Sequence, residues 1–192
     1  MSLSKEDIRN TISTLLQQKK DAEYYQQSDK ISQNILQLLS SGNFQDNCTV
    51  GGFTPLRDES CWHTKFNPQI CKGRLCFPAL FTSPNLMTFH VAALEELEIR
   101  EDFGVAIKVP RKNAPECRPQ ILLIPGVAFT RKGLRLGRGK GFYDRYLATF
   151  KGVKIGVCFK EQVLKDIPKD SHDQQMDYVI TDEEIIEVEL EL

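Results

Sequence analysis

Between Ile121 and Leu147 the chain reads ILLIPGVAFTRKGLRLGRGKGFYDRYL, and this stretch holds most of the residues able to do chemistry. Gly137, Gly139 and Gly141 alternate with Arg138 and Lys140, and Arg135 stands just upstream. Glycines let backbone N–H groups come close to a ligand, while the interleaved cations bring positive charge to the same place. Packing Arg135, Arg138 and Lys140 into six residues costs on the order of 1 kcal/mol per close pair of like charges even in water. A bound polyphosphate reverses that sign, because each charge-assisted hydrogen bond returns about 1.5–3 kcal/mol. An arbitrary run of Gly, Lys and Arg is usually a solvated loop. Here an apolar strand precedes it and a helix start follows, so the loop sits where α/β proteins present ligand sites, with a helix N-terminus adding positive charge.

Two familiar phosphate motifs do not fit. The loop ends Gly139-Lys140-Gly141, without the Ser or Thr that a P-loop places on magnesium, and the spacing from Gly133 to Gly139 is one residue too long. Gly-x-Gly-x-Gly also lacks the two residues that the Rossmann fingerprint needs before its third glycine.

The elements that must carry this loop are legible on either side of it. Ser4-Lys5-Glu6-Asp7 predicts a helix start, with Ile8, Ile12, Leu15 and Leu16 at helical spacing. A second helix is expected from about Asp21, with Ile31, Ile35, Leu38 and Leu39 as its stripe and a stop near Gly42. Strand-like runs follow at Cys48 to Phe53, Arg74 to Phe77, Leu86 to Phe89, Ile121 to Ile124, Lys154 to Phe159 and Tyr178 to Ile180. Those at 121–124 and 155–159 are apolar without alternation, as strands covered on both faces are. A helix is expected from Phe142, turning Tyr146, Leu147 and Phe150 inward. The tail from Asp182 to Leu192 alternates acid and apolar residues and predicts an edge strand with one wet face. Strands alternating with helices predict an α/β domain with a mostly parallel sheet.

Composition sets the bounds. With 192 residues, a net charge of -1, 41% hydrophobic and 27% charged residues, one compact domain is the default, burying roughly 70% of the unfolded surface. A near-neutral chain has no global field for nucleic acid or membrane, so anion binding must be local. The six cysteines include no C-x-x-C pair, which argues against a zinc site and for reduced thiols. The start MSLSKEDIRN has acidic residues and no apolar run, so neither a secretory signal nor a transit peptide is expected, and a cytoplasmic protein is.

Taken in order, Pro125-Gly-Val-Ala-Phe129 and Arg135-Leu-Gly-Arg-Gly-Lys-Gly-Phe-Tyr-Asp144 resemble the signature of the 5-formyltetrahydrofolate cyclo-ligases, also called methenyltetrahydrofolate synthetases. The resemblance extends over nearly the whole chain. Lys5 and Arg9 match a Lys-x-x-x-Arg that contacts ATP in the family; on a helix, residues four apart share a face. Phe53-x-Pro55-x-x-x-Glu59 matches the folate-binding segment, and a carboxylate there suits the N–H donors of a pterin. Asp144 and Asp173 match the positions of magnesium ligands, and hard oxygen ligands are what that ion prefers.

The resemblance implies a single three-layer α/β/α domain over residues 1–192, related to the ribose-isomerase and CoA-transferase group. It implies ATP binding by Lys5, Arg9, Arg135, Leu136, Gly137, Arg138, Gly139, Lys140, Gly141, Phe142 and Tyr143, with Arg138, Lys140 and Tyr143 in catalysis. It places the folate on Phe53, Glu59 and the segment Arg138, Gly139, Lys140, Gly141 and Phe142. The implied reaction has the formyl oxygen on N5 attack the γ-phosphate of ATP; N10 then adds to the activated carbon, and phosphate leaves. The expected partner is a small molecule, 5-formyltetrahydrofolate with or without a polyglutamate tail, acted on by a monomeric chain with no nucleic acid or membrane involved. A different ATP-using kinase or ligase on the same scaffold, or a non-catalytic folate or nucleotide binder, are the competing readings.

This chain departs from the family pattern in places. Phe53 stands where the family often has Tyr, Cys61-Trp62 replaces Asp-Thr, and Lys108-Val109-Pro110 is all that remains of an expected Glu/Gln-Pro element. His172, beside Asp173, is a surface or structural histidine on type alone.

Overall fold

A computed structural model of the chain describes residues 3–42, 44, 48–66, 75–83, 86–102, 104–170 and 173–189. The first helix, α1 (Lys5–Gln17), opens on the expected capping box: the Ser4 hydroxyl accepts from Asp7 N, and the Asp7 carboxylate accepts from Ser4 N at 3.1 Å. These bonds satisfy N–H groups that a helix start leaves without partners. The second, α2 (Asp21–Leu39), buries Ile31 and Ile35 completely and ends at Ser40; Gly42 beyond it takes the left-handed φ of 82° expected there.

The strands are β1 (Val50–Gly51), β2 (Leu75–Ser83), β3 (Leu86–Val91), β4 (Glu98–Asp102), β5 (Val105–Val109), β6 (Glu116–Cys117), β7 (Ile121–Pro125), β8 (Ala128–Thr130), β9 (Arg135–Leu136), β10 (Val153–Val157), β11 (Val163–Leu164), β12 (Tyr178–Ile180) and β13 (Ile185–Glu187), with α3 (Phe142–Leu147) after β9. The main sheet runs in the order β13-β12-β10-β7-β1-β2-β3-β6. Its five central strands, from β12 to β2, are parallel, and antiparallel strands close both edges.

Strand β7 shows why there are three layers. All of Ile121 to Ile124 is buried, and successive side chains point to opposite faces. Ile121 and Leu123 pack with Ile8, Ile12, Ile31 and Ile35 of the first two helices. Leu122 and Ile124 pack on the other face with Leu147 and Phe129, against which Tyr146 and Phe150 rest. On β10, Gly156 is required by that second face: a Cβ there would lie 2.4 Å from the buried ring of Phe129.

Several local expectations change. The run Cys48 to Phe53 yields only the two residues of β1. Gly52 N still donates to Cys76 O at 2.8 Å, but Phe53 then leaves the ladder, and its carbonyl takes the indole N–H of fully buried Trp62 at 2.8 Å. The run Lys154 to Phe159 becomes β10, which starts one residue earlier and ends two residues earlier. The tail does form an edge strand, β13, limited to Ile185–Glu187; residues 190–192, like Arg74 and His172, lie outside the described residues. The β4–β5 hairpin and the short strands β6, β8, β9 and β11 were not expected from the sequence.

Candidate functional site

The signature segment leaves the main sheet at Pro125 and passes through β8 and β9, which with β11 form a separate three-stranded sheet, before entering the glycine loop. Its first turn is clamped from behind. Gln162, 2% exposed, donates to Gly126 O at 2.9 Å and Val127 O at 3.0 Å and accepts from Phe159 N at 2.8 Å. Arg135 is buried; it donates to Pro125 O at 3.1 Å, pairs with the Asp144 carboxylate and lies over the Tyr143 ring. Strand end, loop and α3 are thus joined through one guanidinium.

The loop itself needs its glycines. Gly139 has φ 89°, and Gly141, which caps α3, has φ 70°; both lie in the left-handed region that side chains disfavour. From α1, Arg9 Nε donates to Gly137 O at 2.9 Å, and its guanidinium would meet a Cβ on Gly139 at 3.6 Å. The first helix therefore fixes the loop from outside.

Arg138 projects from this loop to the segment after β1. Its Nε donates to Glu59 Oε1 at 3.1 Å and its Nη2 to Asp58 Oδ1 at 2.5 Å. Glu59 is 8% exposed, and its second oxygen accepts from Leu56 N at 2.9 Å. Burial is the largest influence on this carboxyl and raises its pKa above the ordinary value; Arg138 and the Leu56 N–H pull against it without cancelling it. The Tyr143 hydroxyl is buried, and among the described residues it has no hydrogen-bond partner. Burial first, then the charge of Glu59, pushes its pKa far up, so it stays a neutral donor.

These groups surround a cavity of about 400 Å³. Phe53, Met87, Ile107 and Val109 give it apolar walls; Glu59, Arg135, Arg138, Lys140 and Asp144 give it charge; Gly137, Gly139, Gly141, Phe142 and Tyr143 complete the rim. Its size is that of a small-molecule site. A smaller hollow of about 190 Å³ shares Gly126 and Arg138 with it and is bordered by Arg9, Asp58 and Gln162.

Most residues singled out from the sequence thus meet in one place. Four do not line the cavity: Arg9, which borders only the smaller hollow, and Leu136, Lys5 and Asp173. Leu136 is 2% exposed and belongs to the core, where it anchors β9. Lys5 lies against the C-terminal segment, with Nζ 2.7 Å from Asp170 Oδ2 and 3.1 Å from Asp173 Oδ2. Burial opposes its charge, but the hydrogen bonds to the two acids outweigh that and raise its pKa. Asp173 also accepts from Asp170 N at 2.8 Å. Asp144 and Asp173 therefore stand in separate ion pairs, and among the described residues no group of three or more His, Cys, Asp or Glu side chains could hold a metal ion. Asp144 pairs with Arg135, not with the adjacent Arg145, whose Nη2 donates to Lys140 O at 3.3 Å.

Sequence reasoning missed Asp58, Gln162, Met87 and Ile107. Asp58 had a signal, an acid directly beside Glu59. Gln162, on a one-turn helix remote in sequence, had none.

A cation-bearing glycine loop between the short antiparallel strand β9 and α3, facing a half-apolar cavity with a buried acid, marks the candidate site of this α/β protein. The chain belongs to the 5-formyltetrahydrofolate cyclo-ligase family, whose sequence model matches residues 1–182. A probable 5-formyltetrahydrofolate cyclo-ligase of Schizosaccharomyces pombe is 39% identical over 80 residues, which cover 35% of this chain and 39% of that protein. The 5-formyltetrahydrofolate cyclo-ligase of Mus musculus is 26% identical over 171 residues, covering 79% of this chain and 83% of that one. The 5,10-methenyltetrahydrofolate synthetase of Aquifex aeolicus superposes with a TM-score of 0.80 at 27% identity, over 98% of this chain and 94% of that one. Among the described residues, no helix is long and apolar enough to cross a membrane.

Proposed function

We propose that this protein closes 5-formyltetrahydrofolate to 5,10-methenyltetrahydrofolate at the expense of ATP, with a divalent metal. The observation that carries the reading is the Arg138 bridge: a loop suited to phosphate meets, through one guanidinium, a buried acid suited to a pterin. Glu59 bears a desolvation penalty that its protein partners do not fully offset, and the N–H donors of a pterin ring would relieve it. Phe53, Met87 and Ile107 supply the apolar surface that a fused ring system requires.

The chemistry asks for alignment and charge neutralisation, not for a protein nucleophile. An amide oxygen is a poor leaving group until phosphorylated. Attack of the formyl oxygen on the γ-phosphorus forms the O–P bond and releases ADP. N10 then bonds to the formyl carbon and loses its proton, and cleavage of the C–O bond expels phosphate. Arg138 and Lys140 counter charge on the transferring group, as phosphoryl transfer demands. Arg9 holds the loop at Gly137, and the neutral Tyr143 hydroxyl is a donor available to a ligand oxygen. Arg135, tied to Pro125 and Asp144, shapes the loop.

Asp144 fits a magnesium site in the way that ion is usually held, by one or two carboxylates plus phosphate oxygens and water. It lines the cavity beside the cationic loop. Asp173, which stands in a separate ion pair with Lys5, would be the second candidate ligand. The ion would neutralise phosphate charge. A cytoplasmic setting belongs to the same reading.

The test is spectroscopic: absorbance of the methenyl product, followed with purified protein, 5-formyltetrahydrofolate and MgATP, and again without ATP. Arg138→Ala and Lys140→Ala should abolish ATP-dependent product formation while circular dichroism shows the fold intact. Unchanged turnover in either variant contradicts the assigned roles.

A further inference from the structure

Arg138 is held by two acids that do different work. Glu59 is buried in the ring cavity, whereas Asp58 stands at the smaller hollow, which it borders together with Arg9 and Arg138. Its Oδ1 accepts from Nη2, bringing to that nitrogen the kind of charged oxygen acceptor that a phosphate would. The Asp58 side chain is 21% exposed and that of Arg138 40% exposed, so solvent and ligand can reach the pair. Formal charge lining the hollow is mixed, with the cations Arg9 and Arg138 against the single acid Asp58. A cluster serving only to attract an anion would not place a carboxylate at its mouth.

We propose that Asp58 is an internal stand-in for phosphate: it positions Arg138 across the mouth of the site and is displaced when the triphosphate arrives. Asp58 is thus a positioning residue that acts through Arg138. It lowers nucleotide affinity, since a triphosphate must first break the pair and then sit near a like charge. It also makes the guanidinium respond to the folate. When pterin donors engage Glu59, the hold of Glu59 on Nε weakens, and Arg138 becomes easier for phosphate to draw from Asp58. Nucleotide and folate then bind with positive coupling, and free ATP meets a cation that is already occupied. This rests on the proposed activity for the identity of both ligands, but the displacement of Asp58 by an oligophosphate can be observed without turnover.

The experiment is calorimetry on the full chain with inorganic tripolyphosphate and with ADP, comparing wild type, Asp58→Asn and Asp58→Ala. Both variants remove the carboxylate charge, and both should lower the Kd for each ligand about 1.5- to fivefold at low salt, the range set by one partly exposed ion pair. The gain should disappear at 1 M salt, where charges are screened beyond about 3 Å; a purely structural effect would not. Adding 5-formyltetrahydrofolate should tighten tripolyphosphate binding to wild type more than to Asp58→Asn. Unchanged or weaker binding in the variants, a gain that survives high salt, or no tripolyphosphate binding by any of the three proteins overturns the proposal. If binding responds as expected and wild type makes no methenyl product, the proposed reaction falls and the role of Asp58 stands.

Discussion

Glu59→Gln is the substitution that separates the two halves of the site most cleanly. Glutamine keeps the volume and one acceptor oxygen, so the Leu56 N–H or Arg138 Nε can still be met. The charge is lost, and one of two acceptor oxygens becomes an NH₂ donor facing ligand donors. Hydrogen bonds to a charged group contribute about 1.5–3 kcal/mol each, so losing one such bond to the folate raises its KM roughly 10–150-fold. The KM for ATP should change far less, because Asp58 still engages Arg138. Stability gives an independent readout. The folded-state pKa of Glu59 is raised above the ordinary 4.5, so the folded protein binds a proton more readily than the unfolded chain does. That contribution is fully present below pH 4.5 and is lost as pH rises through the folded pKa. Wild type should therefore lose more stability than Glu59→Gln between pH 4.5 and neutrality. Urea denaturation at several pH values checks the second expectation and initial rates the first. A Glu59→Gln enzyme with wild-type folate KM, or a stability difference flat across that range, would refute the reasoning.

Gly156→Ala should cost about 1–3 kcal/mol or more, because its Cβ would press 2.4 Å from the Phe129 ring on the fully packed second face; an unchanged urea midpoint contradicts that packing. Tyr143→Phe removes a buried hydroxyl that has no partner among the described residues, so the free protein should be as stable as wild type or more so. If that hydroxyl serves a ligand, kcat/KM falls all the same; loss of stability without loss of activity would show that it has a structural partner.

What could be read from the sequence follows what is local. The capping box at Ser4 and Asp7 and the apolar run at β7 each depend on residues close in the chain, and each forms as expected. The hairpin Glu98 to Val109 was missed because β4 reads EIRED: it has no apolar alternation, and Ile99 is 76% exposed. The two-residue strands β6, β9 and β11 are too short to carry a period. They pair because β3 and β8 lie alongside them. The cut in β1 is a tertiary effect of the same kind, since Trp62 draws Phe53 out of the ladder. At the site, glycine and cation types were informative on their own. Their partners were not: Gln162 and Asp58 act through contacts that span 36 and 80 residues of chain.

The three cations of the glycine loop look equivalent in sequence and are not equivalent in space. The Arg135 side chain is 5% exposed and committed to Pro125 O and Asp144. A buried guanidinium with that many fixed partners cannot leave them cheaply, because a stranded carboxylate and carbonyl would remain. Arg138 is 40% exposed, and its partners Asp58 and Glu59 are the groups a ligand would compete with or satisfy. Exchange at Arg138 therefore trades one set of charge-assisted hydrogen bonds for another, at small net cost. A rigid cation that sets the loop beside an exchangeable one would let a short motif stay ordered when empty and still respond to the two ligands proposed for it.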